Sequence, residues 1–193
     1  MSALVFDARQ VRRAFSRSAA SYEAAARLQH AVEARLLESL DYLDDPALAR
    51  APPRRVLDLG CGTGRASRAM QARWPKAEVV SLDLALPMLR EGRAAARPGG
   101  WLANPFARRP LPVCADARAL PLADASVDVL FSNLCLQWVE DLDAVLAGFR
   151  RVLKPHGLLL FSTFGPGTLW ELREAFAQAD DVPHVSPFAD IAG

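Results

Sequence analysis

The chain reads as an α/β domain with a mostly parallel sheet and helices on both faces. Three observations predict this. Short apolar, β-branched runs alternate with stretches of helical periodicity, and a glycine-rich turn directly follows the first such run. The 193 residues, 51% of them hydrophobic, suffice for one sizeable core but not comfortably for two.

From Val11 to Leu43 the apolar residues recur at helical spacing, as in Leu28, Val32, Leu36 and Leu40, with a polar break near Ser16 to Ser21. Two helices with a bend are expected there. Asp44, Asp45 and Pro46, then Pro52 and Pro53, end that region, because proline cannot donate within a helix and forces its predecessor extended. Arg55 to Leu59 is an apolar run that stops at glycine, and helical spacing resumes from Arg65 to Trp74. The alternation then repeats, with strands expected at Glu78 to Leu82, Pro112 to Cys114, Val127 to Ser132 and Gly157 to Thr163. Helices are expected at Pro87 to Ala96, Leu142 to Leu153 and Thr168 to Ala179. Residues 97–111 are rich in proline and glycine and read as a surface excursion.

A net charge of +1 gives no support to a nucleic-acid or membrane-surface role. No apolar run reaches the roughly 20 residues that span a bilayer, and no signal-peptide core opens the chain, so a cytoplasmic protein is expected. Cys61, Cys114 and Cys135 are odd in number and lack paired-ligand spacing, so neither a disulfide framework nor a metal site is expected.

Val56-Leu57-Asp58-Leu59-Gly60-Cys61-Gly62-Thr63-Gly64 puts three glycines at the carboxyl end of the first strand, where parallel sheets bind ligands. Glycine allows the tight turn and lets a ligand approach the backbone. Asp83, at the end of the second strand, suits a carboxylate accepting from two ribose hydroxyls, and a helix N-cap role would use the same residue. Asp116, after the third strand, is placed to accept from an adenine amine, or is an ordinary turn aspartate. A dinucleotide site favours Gly-x-Gly-x-x-Gly, so that a pyrophosphate rests on the helix N-terminus. The spacing here is Gly-x-Gly-x-Gly, which favours S-adenosylmethionine, a nucleoside ligand without phosphate.

Residues 56–64 resemble motif I of the class I S-adenosylmethionine-dependent methyltransferases, Asp83 the acidic end of motif II, and the Asp116 segment motif III. Leu120 to Asp128 resembles the lead into the fourth strand, and Val152-Leu153-Lys154-Pro155-His156-Gly157 the turn before the fifth, with His156 in place of a usual glycine. Val11 to Tyr22, Phe131-Ser132-Asn133-Leu134-Cys135-Leu136-Gln137-Trp138 and Phe161 to Leu172 extend the likeness to the malonyl-[acyl-carrier protein] O-methyltransferases of biotin synthesis.

The resemblance implies a Rossmann-like fold with an N-terminal helical lid over residues 1–50 and a cofactor-binding domain over 51–193. The last two strands of the usual seven are expected to be missing, because the strand pattern stops at Thr163. It implies S-adenosylmethionine as cofactor, held by Asp58, Gly60, Cys61, Gly62, Gly64, Asp83, Leu84, Met88, Asp116, Ala117 and Asn133. Tyr22, Asn133 and Trp138 are implied as positioning residues, and Phe15, Tyr22 and Gln29 as lid, although Phe15 and Tyr22 would serve equally as core of a helical cap. The implied reaction is methyl-ester formation on the free carboxylate of malonyl-acyl-carrier protein, a step that needs no general base. Methylation of a quinone or lipid-like metabolite shares the same nucleotide site, as does a non-methylating assembly factor that binds S-adenosylmethionine. Arg12, Arg13 and Arg17 would orient the substrate carboxylate or meet the carrier's acidic surface, or form a solvated helix face.

Overall fold

The computed structural model describes residues 7–45, 51–95, 108–139, 141–180 and 188. The excursion expected at residues 97–111, including Asn104, Pro105 and Phe106, lies mostly outside them.

Five strands form one fully parallel sheet: β1 (Arg55–Leu59), β2 (Glu78–Asp83), β3 (Leu111–Cys114), β4 (Val127–Asn133) and β5 (Leu153–Ser162), in spatial order β3-β2-β1-β4-β5. The chain starts in the middle, builds outward to β3, then crosses back to lay β4 against the other side of β1. That reversal opens a crevice at the carboxyl ends of β1 and β4, where such sheets receive ligands. β1 and β4 are buried along almost their whole length because helices cover both faces. On one face Leu57, Leu59, Leu130, Val145 and Phe149 pack together; on the other, Val56, Val79, Phe131, Met70 and Trp74 do so with Leu40.

The helices are α1 (Ala8–Ser18), α2 (Tyr22–Ala25), α3 (Arg27–Glu38), α4 (Arg65–Arg73), α5 (Leu86–Ala95), α6 (Leu142–Val152) and α7 (Trp170–Ala177). The N-terminal region is thus three helical pieces joined by a tight turn at Ala19–Ser21, where the sequence suggests two helices with a bend. The extra piece arises because Ala26 leaves helical geometry between α2 and α3.

β5 begins at Leu153, four residues earlier than its hydrophobic pattern suggests. Lys154-Pro155-His156 looks like a turn, yet a strand at the end of the sheet tolerates a proline, and His156 takes the left-handed φ of +63° that suits the usual glycine. The register slips between Val127 and Val129 to absorb the irregularity. β5 is only half buried, in contrast to β4, and Phe161 is exposed on it.

Candidate active site

The glycine turn forms the floor. Gly60, Gly62 and Gly64 have φ of +67°, +55° and +74°, which L side chains rarely adopt, and Gly64 leads directly into α4. The Gly60 and Cys61 amides donate to the carbonyl of Leu82 at 2.8 and 3.1 Å, so the turn hangs from the end of β2. Asp83 completes the anchorage: Oδ2 accepts from the Gly62 amide and Oδ1 from the Ala85 amide, both at 2.8 Å. The carboxylate that caps the entry to α5 thus also holds the turn, and Asp83 lines the cavity. Burial pushes the Asp83 carboxyl up, against the two amide donors and that of Leu84.

Below the turn lies a buried polar chain. Ser67 Oγ donates to Asp58 Oδ2 at 2.5 Å, and Ser81 Oγ donates to Ser67 Oγ at 2.7 Å. Asp58 is almost fully enclosed, and burial pushes its carboxyl up to about 7.

Above the floor is a cavity of about 360 Å³, within the ~300–1,000 Å³ range of small-molecule sites. Asp83 and Asp116 line it on one side, and Asn133, Gln137 and Trp138 after β4 on the other. Most of the rest is apolar, including Val11, Phe15, Leu134, Val139 and Phe164. Asp116 is gripped by its near neighbour: Arg118 Nη2 donates to Oδ2 at 2.7 Å, and the Arg118 amide donates to Oδ1 at 2.9 Å. Those Arg118 hydrogen bonds hold the Asp116 carboxyl below its ordinary value.

The roof is the α1–α3 segment, and it is tied to the floor. Thr63 Oγ1 hydrogen-bonds the Glu23 carboxylate, whose second oxygen lies 3.2 Å from His30 Nε2. Arg65, the first residue of α4, pairs with the buried Glu33 of α3 at 3.2 Å. Asn133 Nδ2 donates to the Gln29 carbonyl at 3.0 Å while its Oδ1 accepts from Ser162 Oγ at 2.8 Å. Asn133 therefore joins β4, β5 and the lid. Phe15 stacks edge-on against Tyr22 and Trp138, with ring centroids 6.4 and 5.6 Å apart. Tyr22 faces the cavity; burial, then Asp83, Glu23 and Glu33, pushes its hydroxyl up to about 12, so it stays a neutral hydrogen-bond donor. Burial likewise pushes the Cys135 thiol up to about 12.

Of the residues singled out in the sequence, Gly60, Gly62, Asp83, Leu84, Asp116, Ala117, Asn133, Tyr22 and Trp138 meet around this one cavity. Asp58, Cys61, Gly64 and Met88 do not line it. Asp58 sits beneath the turn, while Cys61 and Gly64 face a second hollow bounded by Arg68, Arg93 and Arg109. Met88 is buried under the lid with Ala19 and Ala85. Gln29 and Phe15 do reach the cavity, and so does Arg12, but Arg13 and Arg17 do not. Glu23, Thr63 and Glu33 escape sequence reading altogether, since nothing in a row of residues tells a tethering glutamate from a solvated one.

A family model described as a methyltransferase domain matches residues 57–161. The chain belongs to this methyltransferase-domain family. The match spans the glycine turn and the cavity-lining residues after β4, and leaves α1–α3 outside it. A malonyl-[acyl-carrier protein] O-methyltransferase of Xylella fastidiosa (strain M23) is 62% identical over 184 residues, covering 95% of this chain and 58% of the relative. One of Gallionella capsiferriformans (strain ES-2) is 45% identical over 192 residues, covering 99% and 63%. The chain thus spans about three-fifths of the length of these curated relatives. Among solved structures, a SAM-dependent methyltransferase from Thermotoga maritima shares the fold at a TM-score of 0.60 and 19% identity, over 92% of this chain and 74% of that one. An S-adenosylmethionine-dependent methyltransferase from Mesorhizobium loti is 34% identical with a TM-score of 0.50, over 63% of this methyltransferase domain and 53% of that chain.

Proposed function

We propose that this methyltransferase domain binds S-adenosylmethionine and methylates the free carboxylate of malonyl-acyl-carrier protein, the methyl-ester step of early biotin synthesis. The observation that carries the reading is the one cavity in which Gly60, Gly62, Asp83 and Asp116 face Asn133 and Trp138 under a tethered lid. The malonyl-[acyl-carrier protein] O-methyltransferase name of the relatives that match nearly all of this chain supports the substrate. In this reading residues 1–50 are the lid and 51–193 the cofactor-binding domain, working in the cytoplasm without a nucleic-acid partner. Among the described residues no helix is long and apolar enough to cross a membrane.

The residues present fit the cofactor. A Cβ on Gly62 would meet only the Tyr22 ring, at 3.7 Å, so its face is open to a ligand. Asp83 lines the cavity and would suit two ribose hydroxyls, while Asp116 would accept from the adenine amine. Asp58, enclosed beneath the turn, supports the floor and does not touch the ligand.

Held there, S-adenosylmethionine would supply an electrophilic methyl group on a cationic sulfur, which would keep the electron pair of its S–C bond when a substrate carboxylate oxygen takes the methyl. Opposite charges cancel on the way to the transition state, so no proton moves and no base is needed. The site's own groups agree with that chemistry, because Tyr22 holds its proton at neutral pH and Cys135 stays a thiol. What the domain contributes is alignment and dryness. Phe15, Trp138 and Phe164 line the cavity, and Asn133 fixes the edge of β4 against the lid.

The test is to incubate the protein with S-adenosylmethionine and malonyl-carrier protein and to look for a mass gain of one methylene on the carrier. The largely apolar lining also suits a quinone or lipid-like acceptor, so the same assay is run on such compounds. Turnover of those alone would replace the malonyl reading. Binding of S-adenosylmethionine without any transfer would leave an assembly factor.

A further inference from the structure

We propose that the outer face of α1 is the docking surface for an acidic carrier protein, with Arg9, Arg13 and Arg17 as its contacts. The proposal rests on the malonyl-carrier reading above. In Ala8–Ser18, Ala8, Val11 and Phe15 are half buried and line the cavity wall. Each residue turns the helix by about 100°, so Arg9, Arg13 and Arg17, spaced four apart, form a stripe centred on the opposite side. All three are exposed, and no acidic group among the described residues lies within ion-pair distance of them. The helix contains no acidic residue at all, and Asp7 beside it spends its carboxylate capping the Arg9 amide at 2.9 Å.

This concentration stands out in a chain whose net charge is +1. Several arginines elsewhere are paired: Arg55 with Glu78, Arg65 with Glu33, Arg73 with Asp41 and Asp44, and Arg151 with Asp124. Like charges four apart on a helix repel, which costs stability unless an external anion relieves them. The location matters as much as the sign. A protein seated on the stripe is one helix thickness, about 10 Å, from the cavity, and a thioester on a flexible arm reaches it around the Arg12 rim. An anionic membrane is the less suitable occupant. A helix that lies in a bilayer surface buries its apolar face in lipid, whereas the apolar face of α1 is already committed to the cavity and to Ala19, Ala85 and Met88 through Phe15.

The test compares the 193-residue chain with its R9Q/R13Q/R17Q variant. Two substrates are used: malonyl-carrier protein, and a malonyl thioester of N-acetylcysteamine that has the reacting group but no carrier. The triple variant is expected to raise KM for the carrier substrate tenfold or more at low salt with kcat unchanged, while turnover of the small thioester stays as in the unmodified chain. Added salt should raise KM for the carrier in the unmodified chain and hardly at all in the variant. An unchanged KM for the carrier overturns the proposal, and so does an equal loss on both substrates, which would place the arginines in the fold or the cavity. Binding of the unloaded carrier is measured separately by fluorescence anisotropy. If the unmodified chain methylates neither substrate, the proposed function fails, and the docking surface is then judged on whether the variant loses carrier binding at least tenfold. Charge-dependent binding to vesicles of anionic phospholipid, with no carrier binding, overturns it in favour of a membrane.

Discussion

A side chain at Gly60 would occupy the space already taken by Cys135: an added Cβ would stand 2.7 Å from the Cys135 Cβ and closer still to its sulfur. The end of β1 and the segment after β4 therefore touch at van der Waals limits, and the floor and the β4 side of the cavity meet with no space between them. Gly60→Ala must either push Cys135 away or relax the +67° φ. The left-handed backbone alone costs roughly 1–2 kcal/mol for a residue with a Cβ. A loss of at least about 2 kcal/mol is expected in denaturant unfolding of the unliganded protein. A variant as stable as the parent would show that Cys135 moves freely.

Asp83→Ala should weaken S-adenosylmethionine binding by tenfold or more and also destabilise the empty protein. Each hydrogen bond to a carboxylate is worth roughly 1.5–3 kcal/mol, and Asp83 accepts two, from Gly62 in the floor and from Ala85, before any ligand arrives. Titration calorimetry reads the first effect and thermal unfolding the second. Loss of stability with unchanged affinity would reduce Asp83 to a cap.

Stability should fall as pH rises from about 4 to about 7. Asp58, whose ordinary value is 3.8, is held protonated by burial up to about 7, so the folded state binds a proton that the unfolded chain has released. That contribution is fully present below the unfolded value and is lost as pH climbs through the folded one. Asp83 and Glu33, also raised by burial, act in the same direction. Asp58→Asn should flatten the dependence: the difference in Tm between pH 5 and pH 8 is expected to shrink. An identical pH dependence in the variant would mean that Asp58 is ionised throughout.

Asn133→Ala removes both the lid contact at Gln29 and the acceptor for Ser162. A stability loss of about 1–3 kcal/mol is expected from the two lost bonds. The larger effect should be local, with faster amide exchange across α3 than across α6 and a kcat/KM lowered about tenfold. Equal acceleration in both helices would indicate general loosening and no lid tether.

The sheet was legible because its strands are short apolar runs ending at glycine or acidic residues, and β1, β2 and β4 match that reading to within a residue. The start of β5 was not, because a proline that reads as a turn is allowed at the end of a sheet, and sheet position is a tertiary property. In the site, Gly60, Gly62 and Asp83 were legible since backbone geometry and ligand chemistry restrict those positions to few residue types. Glu23 and Thr63 were not. They lie 40 residues apart, and their partnership exists only once α2 rests on the glycine turn. The arginine cluster was visible as a group, but only the helix phase separates Arg12 at the rim from Arg13 and Arg17 outside.

The ties from Glu23 to Thr63 and from Glu33 to Arg65 fasten the roof to the glycine turn and the start of α4, and the tie from Gln29 to Asn133 fastens it to the opposite side of the cavity. With the proposed ligands in place, the roof is fastened on both sides of the cavity that holds them. In that reading a small molecule beneath the roof exchanges with solvent only when the ties on both sides part.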